Sequence, residues 1–498
     1  MIAQLLLLLL FIYYIANEFY LKRKNLPPGP TPLPIIGNLL SLYNQTRWEH
    51  KFIEWKNKYG PIYTYWMGNL PFVSINDHKL AYKVFVKNGA NFENRLDSKF
   101  ILKYLGNEDK IKMPIEVPQK QRKFAVSVFR QFGFGTRQIE ENILTQIQFM
   151  FGKINQGLSC GVEEVALHIH TDLAVGSLIS EIICGYKADC PANEKRLLHI
   201  KEQTARVSST STNLWSNLIF SYPWVLNIPF VANAGREAAS IYGEILDFME
   251  EQVNLHLKQN DYTEDYEATD FVNAFLVEKK RQENLGNDVS EYTVEQLKSM
   301  CFNLWVAGQE TTSLTITWAI AFILRHPEVQ EKIHEELDSV HGSEKMITIG
   351  DKPLLSYCNA VVFEAIRCAN LLGQNLTRVA NDDIEIEGYL IKKGTVVFPQ
   401  VSVILQDEKA FPEPQKFNPS RFLDENENLK NTSEFIPFSL GRRMCIGESL
   451  AKMELFLIIA NLFNQYKIMP GKVMPSARKT SGNSTDTEPY SCRLEKRW

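Results

Sequence analysis

The first twenty or so residues differ from the rest of the chain because they are apolar almost without interruption. From Ile2 to Leu21 only Gln4, Asn17 and Glu18 are polar, and Lys22-Arg23-Lys24 follows at once. About twenty apolar residues span a bilayer as a helix, and the basic cluster after them predicts that the following chain faces the cytosol. A cleaved signal peptide is the alternative. The length of the run, the lack of a basic stretch before it and the missing small-residue cleavage site favour an uncleaved anchor.

After the anchor, helical periodicity dominates and strand-like alternation is confined to short stretches. Alternation around Gly68-Asn69 predicts a hairpin from Ile62 to Ile75, and a second alternating stretch predicts a small sheet within 384–397. Apolar spacing and end signals predict helices at 48–59, 173–183, 294–324, 327–340, 357–371 and 448–466. The pattern therefore indicates a mainly α fold with a minor β portion.

Proline marks the boundary between the anchor and the body. Pro27-Pro28-Gly29-Pro30, with Pro32 and Pro34 behind it, makes a stiff linker because proline fixes φ. We therefore divide the chain into an anchor with its basic stop (1–24), a proline-rich hinge (25–36) and one catalytic domain (37–498). Length alone would allow several domains.

Two stretches of the body have no clear periodicity. Residues 213–230 are apolar and aromatic but interrupted by Pro223 and Pro229, which leaves two interpretations, a core loop or a lid that dips into the membrane interface. Residues 261–288 carry mixed charge, and we expect a solvated connection there.

Composition narrows the class of protein. The hydrophobic fraction of 45% and the charged fraction of 22% are those of an ordinary globular core, and a formal net charge of −4 gives no reason to expect nucleic acid as a partner. The eight cysteines are scattered without a Cys-x-x-Cys pair, which predicts reduced thiols rather than a disulfide framework.

One of these cysteines has a distinctive setting, the stretch Phe438-Ser-Leu-Gly441-Arg-Arg443-Met-Cys445-Ile-Gly447. The predicted helix after it places Cys445 at a helix N-terminus, where N–H groups and the helix dipole favour a thiolate. The glycines allow close approach of the backbone to a large flat group. A buried structural cysteine in a turn is the alternative.

The long predicted helix contains a second unusual stretch, Ala307-Gly308-Gln309-Glu310-Thr311-Thr312. Glycine and threonine in the middle of a helix both lower its stability. Either Gly308 serves only a close contact between helices, or residues 307, 308 and 311, which share one face, form a groove.

A third pair is Glu364-x-x-Arg367 on a predicted helix, with Arg421 further on in Phe417-Asn-Pro-Ser-Arg421-Phe422. Glutamate and arginine three residues apart on a helix usually form a surface pair of little energetic value. A buried network with a second arginine is the alternative, and it would be costly to break.

Taken together, these stretches match three motifs of the cytochrome P-450 (haem-thiolate monooxygenase) superfamily in the right order: A-G-x-[DE]-T-[TS], E-x-x-R and F-x-x-G-x-R-x-C-x-G. The chain resembles the microsomal animal members over nearly its whole length, including the proline hinge. The resemblance implies the cytochrome P-450 fold, haem b as cofactor and Cys445 as the axial iron ligand.

The resemblance also implies roles for individual residues. Glu310 and Thr311 would deliver protons to O2, while Glu364, Arg367 and Arg421 would brace the haem loop. Leu372 would lie near the substrate, and Arg122 stands where the family's Trp-x-x-x-Arg has its arginine, although Pro118 replaces the tryptophan. The residues implied to contact haem are Ala307, Gly308, Arg122, Arg378, Phe438, Gly441, Arg443 and Gly447.

The implied function is insertion of one oxygen atom from O2 into a lipophilic small molecule (a xenobiotic, fatty acid or steroid-like compound) at the endoplasmic reticulum membrane. Since no G-x-G-x-x-G or P-loop follows a strand-like stretch, electrons are expected from a separate NADPH–cytochrome reductase. We expect the reductase to dock on a basic face made by Arg122, Lys123, Arg442 and Lys452.

Two other functions remain open at this point. One is a haem-thiolate isomerase or dehydratase that works without reductase, and the other is a non-catalytic haem protein that senses a lipophile or a gas. The intact Glu310-Thr311 pair argues against both.

Overall fold

The computed structural model describes residues 2–43, 47–96, 119–132, 137–210, 218–219, 221–259, 262–263, 266–477 and 487–498. Pro118 and, within the stretch 213–230, residues 213–217 and 220 lie outside the described residues. The α-helices of the described part are α1 (Ile2–Phe19), α2 (Leu39–Tyr43), α3 (Trp48–Tyr59), α4 (His78–Tyr82), α5 (Gln119–Gln131), α6 (Arg137–Ser159), α7 (Leu167–Cys184), α8 (Pro191–Thr210), α9 (Pro229–Gln259), α10 (Phe271–Asn284), α11 (Val294–Arg325), α12 (Pro327–Val340), α13 (Ser356–Ala369), α14 (Val401–Ile404) and α15 (Glu448–Gln465).

Strands make up a small part of the molecule, as predicted. They are β1 (Ile62–Met67), β2 (Leu70–Ile75), β3 (Arg378–Val379), β4 (Ile384–Ile386), β5 (Tyr389–Ile391), β6 (Val396–Pro399), β7 (Tyr466–Pro470) and β8 (Cys492–Lys496). The largest sheet has the order β1-β2-β6-β3, in which β2 and β6 are parallel and the other neighbours antiparallel. Strands β4 and β5 pair only with each other, so the predicted sheet at 384–397 is split between two sheets.

Helix α11 is the central element of the helical part. Thr293 caps it, since its side chain accepts a hydrogen bond from the N–H of Gln296 at 3.1 Å, and it ends just before Pro327 begins α12. It packs against α7, α9, α13 and α15. From Thr312 to Leu324 every residue of α11 is buried, so most of this long helix lies in the core.

In the part of the chain that the structure describes, two helices are long and apolar enough to span a membrane. Helix Leu167–Cys184 is 78% buried and belongs to the core, as the prediction of a buried helix at 173–183 required. The N-terminal one, Ile2–Arg23, is only 6% buried, so its apolar surface faces outward. This difference in burial supports the anchor interpretation for the first segment alone.

The prediction that residues 261–288 form a solvated connection is wrong for residues 271–276, which are buried at the start of a helix. Helix α10 begins at Phe271, capped by Asp270, whose carboxylate accepts from the N–H of Asn273 at 2.8 Å. The ring of Phe271 packs against those of Phe124 and Phe129, with centroids 5.9 and 5.7 Å away. The first half of α10 is buried, and the charged residues that indicated a solvated segment lie in its last turns.

Candidate active site

The loop before α15 is held in a fixed shape by hydrogen bonds within it. The N–H of Cys445 donates to the carbonyl of Phe438 at 2.9 Å, and the N–H of Met444 donates to the carbonyl of Gly441 at 3.0 Å. Gly441 has φ +73°, and a Cβ there would collide with the carbonyl oxygen of Phe85. Glycine is therefore required at this position for two independent reasons.

Replacing Gly441 with alanine should destabilise the protein by roughly 2–4 kcal/mol, because about 1–2 kcal/mol for the left-handed backbone adds to the cost of overpacking against Phe85. The matched control is Gly394→Ala, since Gly394 has a similar φ of +84° but open space around it. Urea denaturation of both variants measures the difference, and equal losses of stability would contradict the predicted collision.

The thiol of Cys445 faces a space inside the protein. Its side chain is exposed, yet burial raises the pKa of the thiol, as does Glu448, while the N–H of Gly447 and the charge of Arg122 lower it. A side chain that solvent can reach while protein surrounds it lies at an internal cleft. The N–H of Gly447 and the N-terminus of α15 are there to stabilise a thiolate.

Helix α11 has two exposed residues between its end turns, in a stretch that is otherwise largely buried. Ala307 and Thr311, one turn apart, are exposed, whereas the intervening Gln309 and Glu310 are buried. The hydroxyl of Thr311 donates to the carbonyl of Ala307 at 2.7 Å. A helix in the core exposes such a face only where it borders a cavity, so this face of α11 also lines an internal space.

Gly308 lies beside this face and makes a different contact. A Cβ at Gly308 would come within 2.9 Å of Cδ1 of Ile179 on α7. The missing side chain therefore lets α7 and α11 approach closely, as the alternative interpretation of this glycine required, and the haem contact of Gly308 stays a prediction.

Four arginines converge near the cysteine loop. Burial, together with the nearby charges of Arg95, Arg443 and Arg122, lowers the pKa of Arg378 to about 9. Arg378 donates to Oγ of Ser439 at 3.0 Å and to the carbonyl of Leu440 at 2.8 Å, and its guanidinium carbon lies 4.6 Å from the centre of the Phe85 ring. Its Nε has no hydrogen-bond partner among the described residues.

The other three arginines also bond to neutral backbone groups. Arg122 donates to the carbonyl of Met444, Arg443 to that of Glu93 and Arg95 to that of Thr377. Arg378 is buried with a free donor and lies near three other cations, so an anionic group beside it would offset the cost of burying its charge. Sequence reasoning found three of the four and missed Arg95, which stands in a stretch without any periodic pattern.

These observations fit the haem that the resemblance implies. The two propionates of haem would offset the arginine cluster, and its iron would meet an accessible thiol on a rigid loop with N–H donors. The resemblance implies that the exposed face of Ala307 and Thr311 would supply a second wall. The donor set in this part of the structure therefore suits haem b ligated by Cys445.

The Glu364 network is buried, as the second interpretation of that motif required. Arg367 donates from Nε to Oε2 of Glu364 at 2.7 Å and from Nη2 to Oε1 at 2.8 Å, and neither side chain is exposed. Nε of Arg421 donates to Oε1 of Glu364 at 3.0 Å. The N–H of Asn418 adds a further bond at 2.9 Å, so this carboxylate is saturated.

The loop between α13 and β3 carries two exposed leucines. Leu372, predicted to lie near the substrate, is 41% exposed, and Leu376 is 64% exposed on the same loop.

A buried carboxyl on α15 also escaped sequence reasoning. Glu454 is 1% exposed and hydrogen-bonds with the side chain of Thr312, and burial raises its pKa to about 8. Its carboxyl is therefore mostly protonated at neutral pH. The signal for it was one acidic residue within the apolar run of α15.

Three of the four residues in the predicted basic docking face already have partners within the structure. Arg442 forms an ion pair with Glu93, and Lys452 pairs with Glu448 at 2.6 Å. Arg122 is turned towards Met444, as described above. Lys123 remains exposed on α5 without an ion pair among the described residues.

Comparison with known proteins identifies what this arrangement resembles. The family model for cytochrome P450 matches residues 27–493. Cytochrome P450 2H2 from Gallus gallus is 31% identical over 454 residues, which cover 91% of this chain and 89% of that protein. Cytochrome P450 2C44 from Mus musculus is 31% identical over 478 residues (94% and 93%), and cytochrome P450 2C23 from Rattus norvegicus is 32% identical over 452 residues (90% and 88%).

Proposed function

The chain belongs to the cytochrome P450 family and is a haem-thiolate monooxygenase for xenobiotic or other lipophilic substrates, and on this premise we propose that Cys445 is its haem ligand and Thr311 its proton-delivering residue. The accessible thiol on a rigid loop beside four arginines is the observation that carries the proposal. Arg95, Arg122, Arg378 and Arg443 bind the propionates.

When bound, haem supplies the iron chemistry that activates O2 and oxidises a C–H bond. The protein holds the cofactor in one orientation through the arginine cluster and the N–H groups around Cys445. Apolar side chains such as Leu372 orient the lipophilic substrate and exclude water. The Glu364–Arg367–Arg421 network keeps the segment before the cysteine loop in place and takes no part in the chemistry.

Thr311 holds a proton where O2 is reduced. Its hydroxyl is exposed to the cleft and anchored to the carbonyl of Ala307, so its oxygen is free to accept a hydrogen bond from water. Glu310, buried next to it on α11, would exchange protons with that water. Without this relay, O2 that has taken up two electrons would collect its two protons from solvent and leave as hydrogen peroxide, and the substrate would not be oxidised.

Replacing Thr311 with alanine should lower the share of NADPH electrons found in product at least about tenfold, because a positioned proton-transfer group contributes roughly 10²–10⁴-fold to a rate. Hydrogen peroxide should rise in proportion, while haem content stays unchanged. The control is Thr317→Ala, which removes a buried hydroxyl that bonds the carbonyl of Ser313 in the same helix. Equal coupling in the two variants would remove Thr311 from the mechanism.

The reaction itself is tested by isotope incorporation. Membranes containing the protein, a reductase and NADPH should transfer one atom of ¹⁸O from labelled O2 into the product of a lipophilic test substrate. An isomerase or dehydratase would form product without NADPH. A sensor would consume no NADPH. Either result would overturn the monooxygenase proposal for this site.

The electron donor that we propose is a separate NADPH–cytochrome reductase, docked where Lys123 lies near the cysteine loop. Reversing the charge in Lys123→Glu should raise the apparent KM for reductase about fivefold, because one rim charge contributes on the order of 1 kcal/mol. Lys195→Glu on α8 is the control, since Lys195 is also exposed. An unchanged KM in the first variant, or an equal rise in the second, would contradict docking at α5.

We further propose that the protein sits in the endoplasmic reticulum membrane through residues 1–24, with the hinge (25–36) and the domain (37–498) on the cytosolic side. Support comes from the outward-facing apolar surface of α1 and the basic residues that follow it. Protease added to sealed microsomes should digest the body, and protection of the body would reverse the orientation.

A further inference from the structure

A pocket of about 200 Å³ lies where the anchor helix meets the body. Its walls come from the end of the anchor, from the hinge and from strand β1. The residues that matter for its chemistry are Phe19, Arg23, Lys24, Leu26, Thr64 and Trp66. It lies outside the active site, and the monooxygenase reaction gives it no role.

The pocket contains two cations that no carboxylate among the described residues offsets. Arg23 donates to the carbonyl of Gly29 at 3.1 Å, to that of Phe19 at 3.4 Å and to the hydroxyl of Thr31 at 3.3 Å, all of them neutral acceptors. Lys24 is exposed, and the described residues form no ion pair with it. The pocket therefore carries a net positive charge.

The neighbouring Lys22 is different. Its Nζ lies 2.5 Å from Oε2 of Glu18, and 4.5 Å from the centre of the Trp66 ring. Lys22 does not line the pocket, and Glu18 already offsets its charge. Lys22 therefore has a different environment from Arg23 and Lys24, although the three basic residues are consecutive in the sequence.

The pocket has a fixed wall on the side of the body. The N–H of Thr64 donates to the carbonyl of Pro28 at 2.9 Å, and a Cβ at Gly29 would collide with the backbone of Thr64. The hinge is thereby pressed against strand β1. A group bound between the hinge and the anchor would meet a preorganised site, which lowers the cost of binding.

We propose that this pocket binds the phosphate group of an anionic phospholipid from the leaflet in which the anchor ends. The inference rests on the proposed membrane anchorage. The apolar run stops at Leu21, so Arg23 and Lys24 stand at the depth of the headgroups. Guanidinium and ammonium groups bind phosphate well, and Phe19 and Leu26 offer apolar surface to the glycerol and the first acyl carbons.

The experiment uses full-length, haem-loaded protein in detergent micelles, titrated with phosphatidylserine and followed by native mass spectrometry. Lys24→Gln and Arg23→Gln should each weaken lipid binding about fivefold, the effect of roughly 1 kcal/mol per basic residue. Lys22→Gln changes the net charge equally but lies outside the pocket, and it should leave binding unchanged. The carbon monoxide spectrum of each variant verifies that the haem domain is folded.

Other outcomes overturn the assignment. An equal loss in Lys22→Gln would mean general charge attraction, and equal binding of phosphatidylcholine would remove the preference for an anionic lipid. Displacement of the lipid by inorganic phosphate alone would make this a site for the free ion. Flotation of the wild-type protein with phosphatidylcholine vesicles tests anchorage separately: a protein that floats but shows no lipid preference lacks the phosphate site, and one that fails to float lacks the anchor.

Discussion

Replacing Cys445 with serine should abolish the strongly red-shifted Soret band of the reduced, carbon monoxide-treated protein and reduce monooxygenase activity to the background. A hydroxyl is not a thiolate ligand, and the electron donation that the sulfur gives to iron would be lost. The rest of the loop should keep its shape, because the hydrogen bonds to Phe438 and Gly441 come from the backbone.

The control for this experiment is Cys160→Ser. Cys160 is likewise an exposed free thiol, but it follows the end of α6, outside the cysteine loop. Its replacement should leave both spectrum and activity unchanged. A conventional imidazole-type band in the wild-type protein, or a red-shifted band that survives in Cys445→Ser, would remove Cys445 as the ligand and with it the proposed active site.

The second large effect is expected from Glu364→Gln. The substitution keeps the shape of the side chain but removes the charge that offsets Arg367 and Arg421. The side chains of these arginines are 0% and 7% exposed to solvent. Uncompensated buried charge should lower the free energy of unfolding by about 3–5 kcal/mol. Urea denaturation, followed by circular dichroism, measures it.

A surface pair of the same spacing provides the comparison. Lys51 and Glu54 are also three residues apart on a helix, with a separation of 2.7 Å, but Glu54 is 61% exposed. Glu54→Gln should cost less than about 0.5 kcal/mol because exposed ion pairs contribute little. If Glu364→Gln were equally mild, the buried network would not be what stabilises this region.

The parts of the fold that could be predicted are those in which local signals agree. Helix α3 begins at Trp48 and ends at Tyr59, before the Gly60-Pro61 pair, and the hairpin turns at Gly68-Asn69, as predicted. Helix α12 lies between Pro327 and Val340 for the same reason. In each case apolar spacing and an end signal point to the same boundary, so no distant contact was needed to find it.

Prediction failed where tertiary contacts decide the structure. The burial of Phe271 depends on aromatic rings that precede it by well over a hundred residues, so the charges later in α10 dominated the local pattern. Arg95 and Glu454 matter through what surrounds them in space, and a single charged residue in a sequence does not reveal that. The motifs around Cys445 and Thr311 were found because several unusual residues occur together.

The parallel pairing of β2 with β6 has a consequence for the biosynthesis of the protein. Phe72 pairs with Val396, about 320 residues later in the chain. At about 5–20 residues per second a ribosome needs roughly a quarter of a minute to one minute to make that stretch. During that time β2 has already been synthesised, but the edge that will pair with β6 has no partner strand. An unpaired edge attracts other chains, so a nascent chain of this protein should depend on chaperones until residues beyond 399 emerge.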